Sequence, residues 1–137
     1  MDPELWGPKL WFFLHTISFK YPDNPSREIK KYHIDFFKNL RDVLPCDICR
    51  THYTEFIKNN PIENYLDNKD SLIKWVLKCH NNVNKFNNKP EWSYDDLISK
   101  YTGIFKNDLY NKFSYKYISI FLLVLVIMLF LLLIFIK

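Results

Sequence analysis

Apolar residues recur along most of this chain at steps of three and four, the period of a helix with one buried face. Between Pro3-Glu4 and Tyr21-Pro22, Leu10, Phe13, Leu14 and Ile17 predict a first helix over residues 4–21. Ile29, Tyr32, His33, Phe36, Phe37, Leu40, Val43 and Leu44 trace a second and clearly amphipathic one. Pro45 interrupts it, and a third helix is predicted to start there and to end at Asn59, ahead of Pro61. Leu72, Ile73, Val76, Leu77, His80, Val83 and Asn84 mark a fourth. Ser93 is a good N-cap for a fifth, carrying Tyr94, Leu97, Ile98, Tyr101, Ile104 and Phe105. The polar stretch 59–70 reads as a loop, and no strand-like alternation or internal repeat occurs. The pattern predicts an all-α bundle.

The helical period is lost at the C-terminal end. Positions 117–136 form a run of 20 residues without a charge, nearly all Leu, Ile, Val or Phe and apolar on every face. At ~1.5 Å per residue such a helix is about 30 Å long, the thickness of a bilayer core. The preceding part of the chain is too small to surround it, so a transmembrane helix is expected over 117–136. Tyr115, Lys116 and Tyr117 stand where interfacial anchors belong, with Lys112 behind them. Met1-Asp2-Pro3-Glu4 has no apolar leader, so the expectation is a tail anchor with the folded part in the cytosol. The division expected is a domain over 1–106, a juxtamembrane linker over 107–116 and the span.

Composition narrows the function classes. A chain of 137 residues holds one compact domain, and 48% hydrophobic residues exclude global disorder. The net charge is +4, and removing the tail with Lys137 leaves +3, too little for a nucleic-acid surface. Three cysteines cannot make a disulfide-rich scaffold. Aromatic residues at 18%, with 4 Trp, are in excess for so short a chain.

Three places could carry chemistry. Cys46-Asp47-Ile48-Cys49 follows Leu44-Pro45 at a helix start, where free N–H groups and the helix dipole stabilise a thiolate. Arg50 and His52 could add positive charge. The pair suits a redox-active dithiol, half of a zinc site completed by Cys79 and His80, or inert core thiols. The zinc geometry is poor, because adjacent helical residues point about 100° apart. A thioredoxin fold is excluded by the lack of βαβ units. Further on, His80 and Asn84 share a helix face with Val83 beside them, between Trp75 and Lys89-Pro90-Glu91-Trp92. They suit an internal hydrogen-bond network or a slot for a planar ligand with Trp75 and Trp92 as stacking surfaces. In the first helix Trp11 and His15 lie one above the other, as packing or as part of such a slot.

Together, Gly7-x-x-x-Trp11-x-x-x-His15, Tyr21-Pro22, Pro45-Cys46-x-x-Cys49 and Trp75…His80-Asn81-x-Val83-Asn84…Lys89-Pro90-x-Trp92 resemble the FAD-dependent sulfhydryl oxidases of the Erv/ALR family. The resemblance spans about residues 4–92, and the chain's brevity is similar to versions carried by large cytoplasmic DNA viruses. It implies a four-helix bundle plus a short fifth helix, FAD as cofactor and a homodimer. It implies that Cys46 exchanges with the thiols of a substrate protein or a thioredoxin-like carrier. Cys49 would then reduce FAD, with O₂ as acceptor and H₂O₂ as product. Trp11, His15, Trp75, His80, Asn81, Val83, Asn84, Lys89 and Trp92 would line the FAD site, and Lys9 would meet its phosphates. No resident metal is expected. The chain departs from the family in lacking a second, relaying cysteine pair, in the place of Cys79, and in its apolar tail. A disulfide-forming enzyme in a reducing cytosol is unusual, and the tail would place it at a host or virion membrane. The competing expectation is a tail-anchored helical adaptor with a structural metal site or inert cysteines.

Overall fold

The computed structural model describes residues 2–135 of the chain, with side chains over 2–106 and 117–128. Five helices follow one another: α1 (Pro3–Lys20), α2 (Arg27–Val43), α3 (Asp47–Asn59), α4 (Lys69–Phe86) and α5 (Tyr94–Phe135). No strand occurs among the described residues, as the periodicity predicted. Residues Met1–Leu97 form one compact unit and Ile98–Lys137 a second.

Each helix of the first unit starts on a local polar cap. Asp2 and Ser26 accept from the N–H groups of Glu4 and Ile29, and Asn68 accepts from Ser71. Each such cap fills one of the donors a helix start leaves open. At the head of α5, Ser93 Oγ accepts from the Asp96 N–H at 3.1 Å while the Asp96 carboxylate takes the Ser93 hydroxyl at 2.6 Å. This reciprocal pair secures the start predicted from Ser93.

The core is one cluster. Leu14, Phe37, Leu40, Tyr53, Phe56, Leu72, Trp75, Val76 and Cys79 belong to it, so α1, α2, α3 and α4 all contribute. α1 packs on α4, and α3 packs on both α2 and α4. Two buried hydroxyls tie the layers together. Tyr21 donates to the Leu66 carbonyl at 2.9 Å, and Tyr53 donates to the Phe37 carbonyl at 2.8 Å. Tyr21-Pro22 therefore serves to pin the end of α1 to the loop ahead of α4.

Two local expectations are corrected. The third helix begins at Asp47 rather than Pro45, because Cys46 is extended at φ −151° and serves as its cap. The stretch 59–70 contains a 3₁₀ turn, Ile62–Tyr65, whose buried Ile62 docks it on the core. The stretch 107–116, where a linker is expected, lies within α5, and neither Gly nor Pro stands between positions 104 and 135 to interrupt that helix. Among the described residues no helix is long and apolar enough to cross a membrane. The expected span 117–136 falls partly outside them, because the side chains of 129–136 are not described.

Candidate active site

The end of α2 feeds Leu44 and Pro45 into an extended Cys46, and α3 then opens. Cys46 and Cys49 are joined by a disulfide, their Cα atoms 5.2 Å apart. The Cys46 sulfur accepts the Cys49 N–H at 3.3 Å, so a sulfur atom occupies the place of a helix-capping oxygen. Cys49 packs against the core cluster and Cys46 stands outside it. Arg50 fixes the turn from below. Its backbone N–H donates to the Cys46 carbonyl at 3.0 Å, one guanidinium nitrogen donates to the Leu44 carbonyl at 2.5 Å, and another pairs with Asp47. The His52 ring lies on Phe86, centroids 3.8 Å apart.

A second set of groups gathers where α1 meets α4. His15 and His80 are both buried, and His15 Nε2 and His80 Nδ1 share a hydrogen bond at 3.0 Å. One nitrogen must donate and the other accept, so the bond orients both rings. Trp11 stacks on His80 with centroids 4.2 Å apart and planes 10° from parallel. Trp92 lies on another side of the same imidazole at 5.2 Å. The segment carrying Trp92 returns along α4 because Asn88 adopts φ 52°, a left-handed conformation that Asn tolerates better than most residues. The Lys89 N–H then closes onto the Asn84 carbonyl at 2.8 Å. Asn81 completes the return. Its side chain donates to the Trp92 carbonyl at 2.8 Å and accepts the Trp92 N–H at 2.9 Å, as a neighbouring strand would.

Trp11, His15, His80 and Trp92 are thus brought together, with Asn81 behind Trp92. Val83 is half-buried, one residue before the buried Asn84. The Asn84 carboxamide makes no hydrogen bond to a described residue, which leaves a neutral donor and acceptor available. Lys89 pairs with Glu4 at 2.8 Å, both side chains exposed, a link of at most about 1 kcal/mol that an anion can displace. Lys9 is exposed on α1. Trp75 does not join this set. It is buried in the core against Phe37 and Phe56, centroids 5.2 and 5.4 Å away, and its indole N–H donates to the Asn60 carbonyl at 2.9 Å. Its expected role as a stacking wall gives way to a packing role, because positions 72, 75, 76 and 79 form the core stripe of α4.

Cys79 is buried in that stripe and is not a partner for the other cysteines. Burial pushes its thiol well above the ordinary range, which keeps it protonated and inert. No group of three His, Cys, Asp or Glu side chains able to hold a metal ion occurs among the described residues. The features the sequence did not point to are the sulfur cap, the Asn81 brace and the His52–Phe86 contact. The sequence singles out Asn81 and His52 for other roles, and nothing in it marks Phe86.

Stacked aromatic planes, an unengaged carboxamide and displaceable lysines are the donor set for a planar heteroaromatic ligand bearing phosphates. In the same compact unit lies a four-residue disulfide at a helix start. The chain is also similar to known proteins. The Erv1 / Alr family model matches residues 8–102. A probable FAD-linked sulfhydryl oxidase of Acanthamoeba polyphaga mimivirus is 36% identical over 99 residues, covering 72% of this chain and 69% of that protein. An FAD-linked sulfhydryl oxidase of African swine fever virus is 34% identical over 110 residues, covering 80% and 87%. Among solved structures, the FAD-binding domain of Saccharomyces cerevisiae Erv1 superposes with a TM-score of 0.69 at 26% identity, covering 73% of this chain and 93% of that one. The chain belongs to the Erv1 / Alr family.

Proposed function

We propose that this chain is an FAD-linked sulfhydryl oxidase that makes disulfides in protein dithiols through Cys46 and Cys49. The observation that carries the reading is the Cys46–Cys49 disulfide at the start of α3, in one unit with the Trp11–His15–His80–Trp92 ring cluster. Trp11, His15, His80 and Trp92 would hold the rings of FAD, Asn84 would meet a polar ring edge, and Lys89 and Lys9 would meet its phosphates. Held there, FAD would supply a two-electron acceptor for the reduced cysteine pair and a route for those electrons to O₂, with H₂O₂ as the product.

The protein's own part is thiol exchange. A substrate thiolate attacks the Cys46 sulfur, the Cys46–Cys49 bond breaks, and a mixed disulfide forms while Cys49 leaves as a thiolate. The second substrate thiolate attacks the substrate sulfur of that mixed disulfide and releases Cys46 as a thiolate. The substrate has lost two electrons and two protons, and the cysteine pair holds the electrons. Cys46 is assigned the outward role because it lies outside the core cluster, and Cys49 the inward one because it packs on it. Released Cys46 is received by the Cys49 N–H and the positive end of α3, which lowers the barrier to its departure.

The same reading extends to assembly and place. A substrate protein or a thioredoxin-like carrier would deliver the thiols. The exposed apolar side chains Leu5, Phe12 and Phe13 on α1 and Tyr32 on α2 support a homodimer across that face, which light scattering of the detergent-solubilised chain would test. The uncharged run 117–136 supports a membrane anchor with the oxidase unit on the cytosolic side of a host or virion membrane. Residues 117–128 of that run are helical and exposed, a surface suited to lipid. Resistance to alkaline extraction from membranes would test it.

The deciding experiment is the visible spectrum of the full chain purified in detergent. A flavin band near ~450 nm, bleached by dithiothreitol without air and restored by air, is expected. Cys46→Ser and Cys49→Ser should each abolish oxidation of a protein dithiol. A folded, colourless protein that takes up no added FAD would overturn the proposal and favour the adaptor.

A further inference from the structure

We propose that Val43, Ile48 and Phe86 form an apolar docking surface around the Cys46–Cys49 disulfide, which selects protein cysteines flanked by aliphatic or aromatic side chains. The proposal rests on the thiol-oxidase reading and adds the substrate class. Val43 ends α2 three residues before Cys46 and is 72% exposed. Ile48 stands between the two cysteines and is 57% exposed. Phe86 ends α4, is 54% exposed, and is joined to α3 by the His52 ring at 3.8 Å. Ile48 and His52 are four residues apart on α3 and share a face, so Ile48, His52 and Phe86 form one continuous apolar and aromatic strip beside the disulfide.

Large apolar side chains this exposed contribute nothing to the fold's own core, yet three of them come from three helices to one end of the unit. The charges around them offer little to a charged small thiol. Arg41 pairs with Asp42 at 3.3 Å and Arg50 pairs with Asp47, so cation and carboxylate neutralise each other on either side of the pair. A thiolate that reaches the Cys46 sulfur carries its neighbouring residues across positions 43 and 48. There, apolar neighbours would be removed from water and charged or small ones would gain nothing. The exchange itself is the one already written: the substrate's S–S bond forms as the Cys46–Cys49 bond is reduced to two thiols, and FAD, held in its site, would take the electrons from that pair. A second copy of this chain is a poorer occupant, since it would cover the sulfur that has to be attacked.

The test uses the full chain in detergent, loaded with FAD, and three thiol substrates. These are a synthetic Cys-x-x-Cys peptide flanked by Leu and Phe, the same peptide flanked by Ser, and dithiothreitol. The wild-type chain should favour the apolar peptide over the Ser-flanked one in kcat/KM. In Ile48→Ser, the ratio of kcat/KM for the apolar peptide to that for dithiothreitol should fall about 10-fold, mostly through KM, the scale of one lost apolar contact. Phe86→Ser, at a separate element, should shift the ratio in the same direction. Equal rates on the two peptides would overturn the proposal, and so would variants that slow peptide and dithiothreitol alike. A change in the oligomeric state of Ile48→Ser would overturn it in favour of a second copy. A wild-type chain that binds FAD and oxidises none of the three would overturn the oxidase reading itself.

Discussion

Asn81 offers the sharpest test of how this site is built. The resemblance to known oxidases places Asn81 among the residues that line FAD, whereas in the structure both ends of its carboxamide hold the backbone of Trp92. Asn81→Ala removes two hydrogen bonds, of 2.8 and 2.9 Å. Each is worth about 1 kcal/mol net, and since Trp92 is only half-buried, water can replace part of the loss. The total is then about 1–2 kcal/mol, which lowers Tm by roughly 5–10 °C for a unit of this size. Part of the same energy holds Trp92 against His80 before any ligand arrives, so FAD should bind about 10-fold more weakly. Quenching of flavin fluorescence on titration gives the Kd, and thermal melting of the apo chain gives the Tm. The adjacent Asn82 is exposed, and Asn82→Ala serves as the control that should change neither. If Asn81→Ala keeps both values within a factor of two and two degrees of wild type respectively, the brace has no role in preforming the site and the reasoning fails.

Two further outcomes follow from the surroundings of single residues. Cys79 is the one thiol outside the disulfide, and its burial should leave the native chain unlabelled by iodoacetamide at pH 8, with one label gained on denaturation. A label in the native protein, counted by mass spectrometry, would refute the inert assignment. Asp70 accepts from Lys74 at 2.6 Å and from the Tyr94 hydroxyl at 2.5 Å, and these bonds hold its carboxyl below the ordinary 3.8. A depressed carboxyl stabilises the fold above 3.8, and the contribution disappears as pH falls through the depressed folded value. Because the site is exposed, Asp70→Asn should lower Tm by only roughly 1–4 °C at pH 7 and by nothing near pH 2. An equal deficit at both pH values would refute it. The same bond keeps Tyr94 protonated, its hydroxyl pushed up to about 12.

Much of this was legible from periodicity alone, and the exceptions have physical causes. The stripes 29–44 and 72–84 mark α2 and α4 to within a few residues, because each helix needs one apolar face whatever its partners. The start of α3 falls two residues beyond the expected Pro45 because Pro is a familiar first residue of a helix, while a cysteine is not a familiar cap. Trp75 was read as a ligand wall for its type, although its spacing from Leu72, Val76 and Cys79 already put it on the packing stripe. His15 and His80 were legible as site residues, but their mutual bond joins positions 65 apart, and no local pattern encodes that pairing. Asn88 shows the same limit. Its left-handed turn decides where Trp92 goes, and the sequence shows only a polar stretch there.

The four-residue spacing of Cys46 and Cys49 has a consequence for how the protein survives its own turnover. Opening a disulfide loosens an unfolded chain by an amount that grows only with the logarithm of the loop it had closed, so this ring of four residues contributes about 2 kcal/mol, at the low end for such bonds. The anchors of the turn, from Arg50 to the Leu44 and Cys46 carbonyls, involve no sulfur and persist when the bond is broken. The oxidised and reduced forms should therefore share one fold, the reduced one melting roughly 10 °C lower. The bond that does the chemistry is largely kept apart from the forces that hold the molecule together, so the chain can be reduced once in every cycle at a small cost in stability.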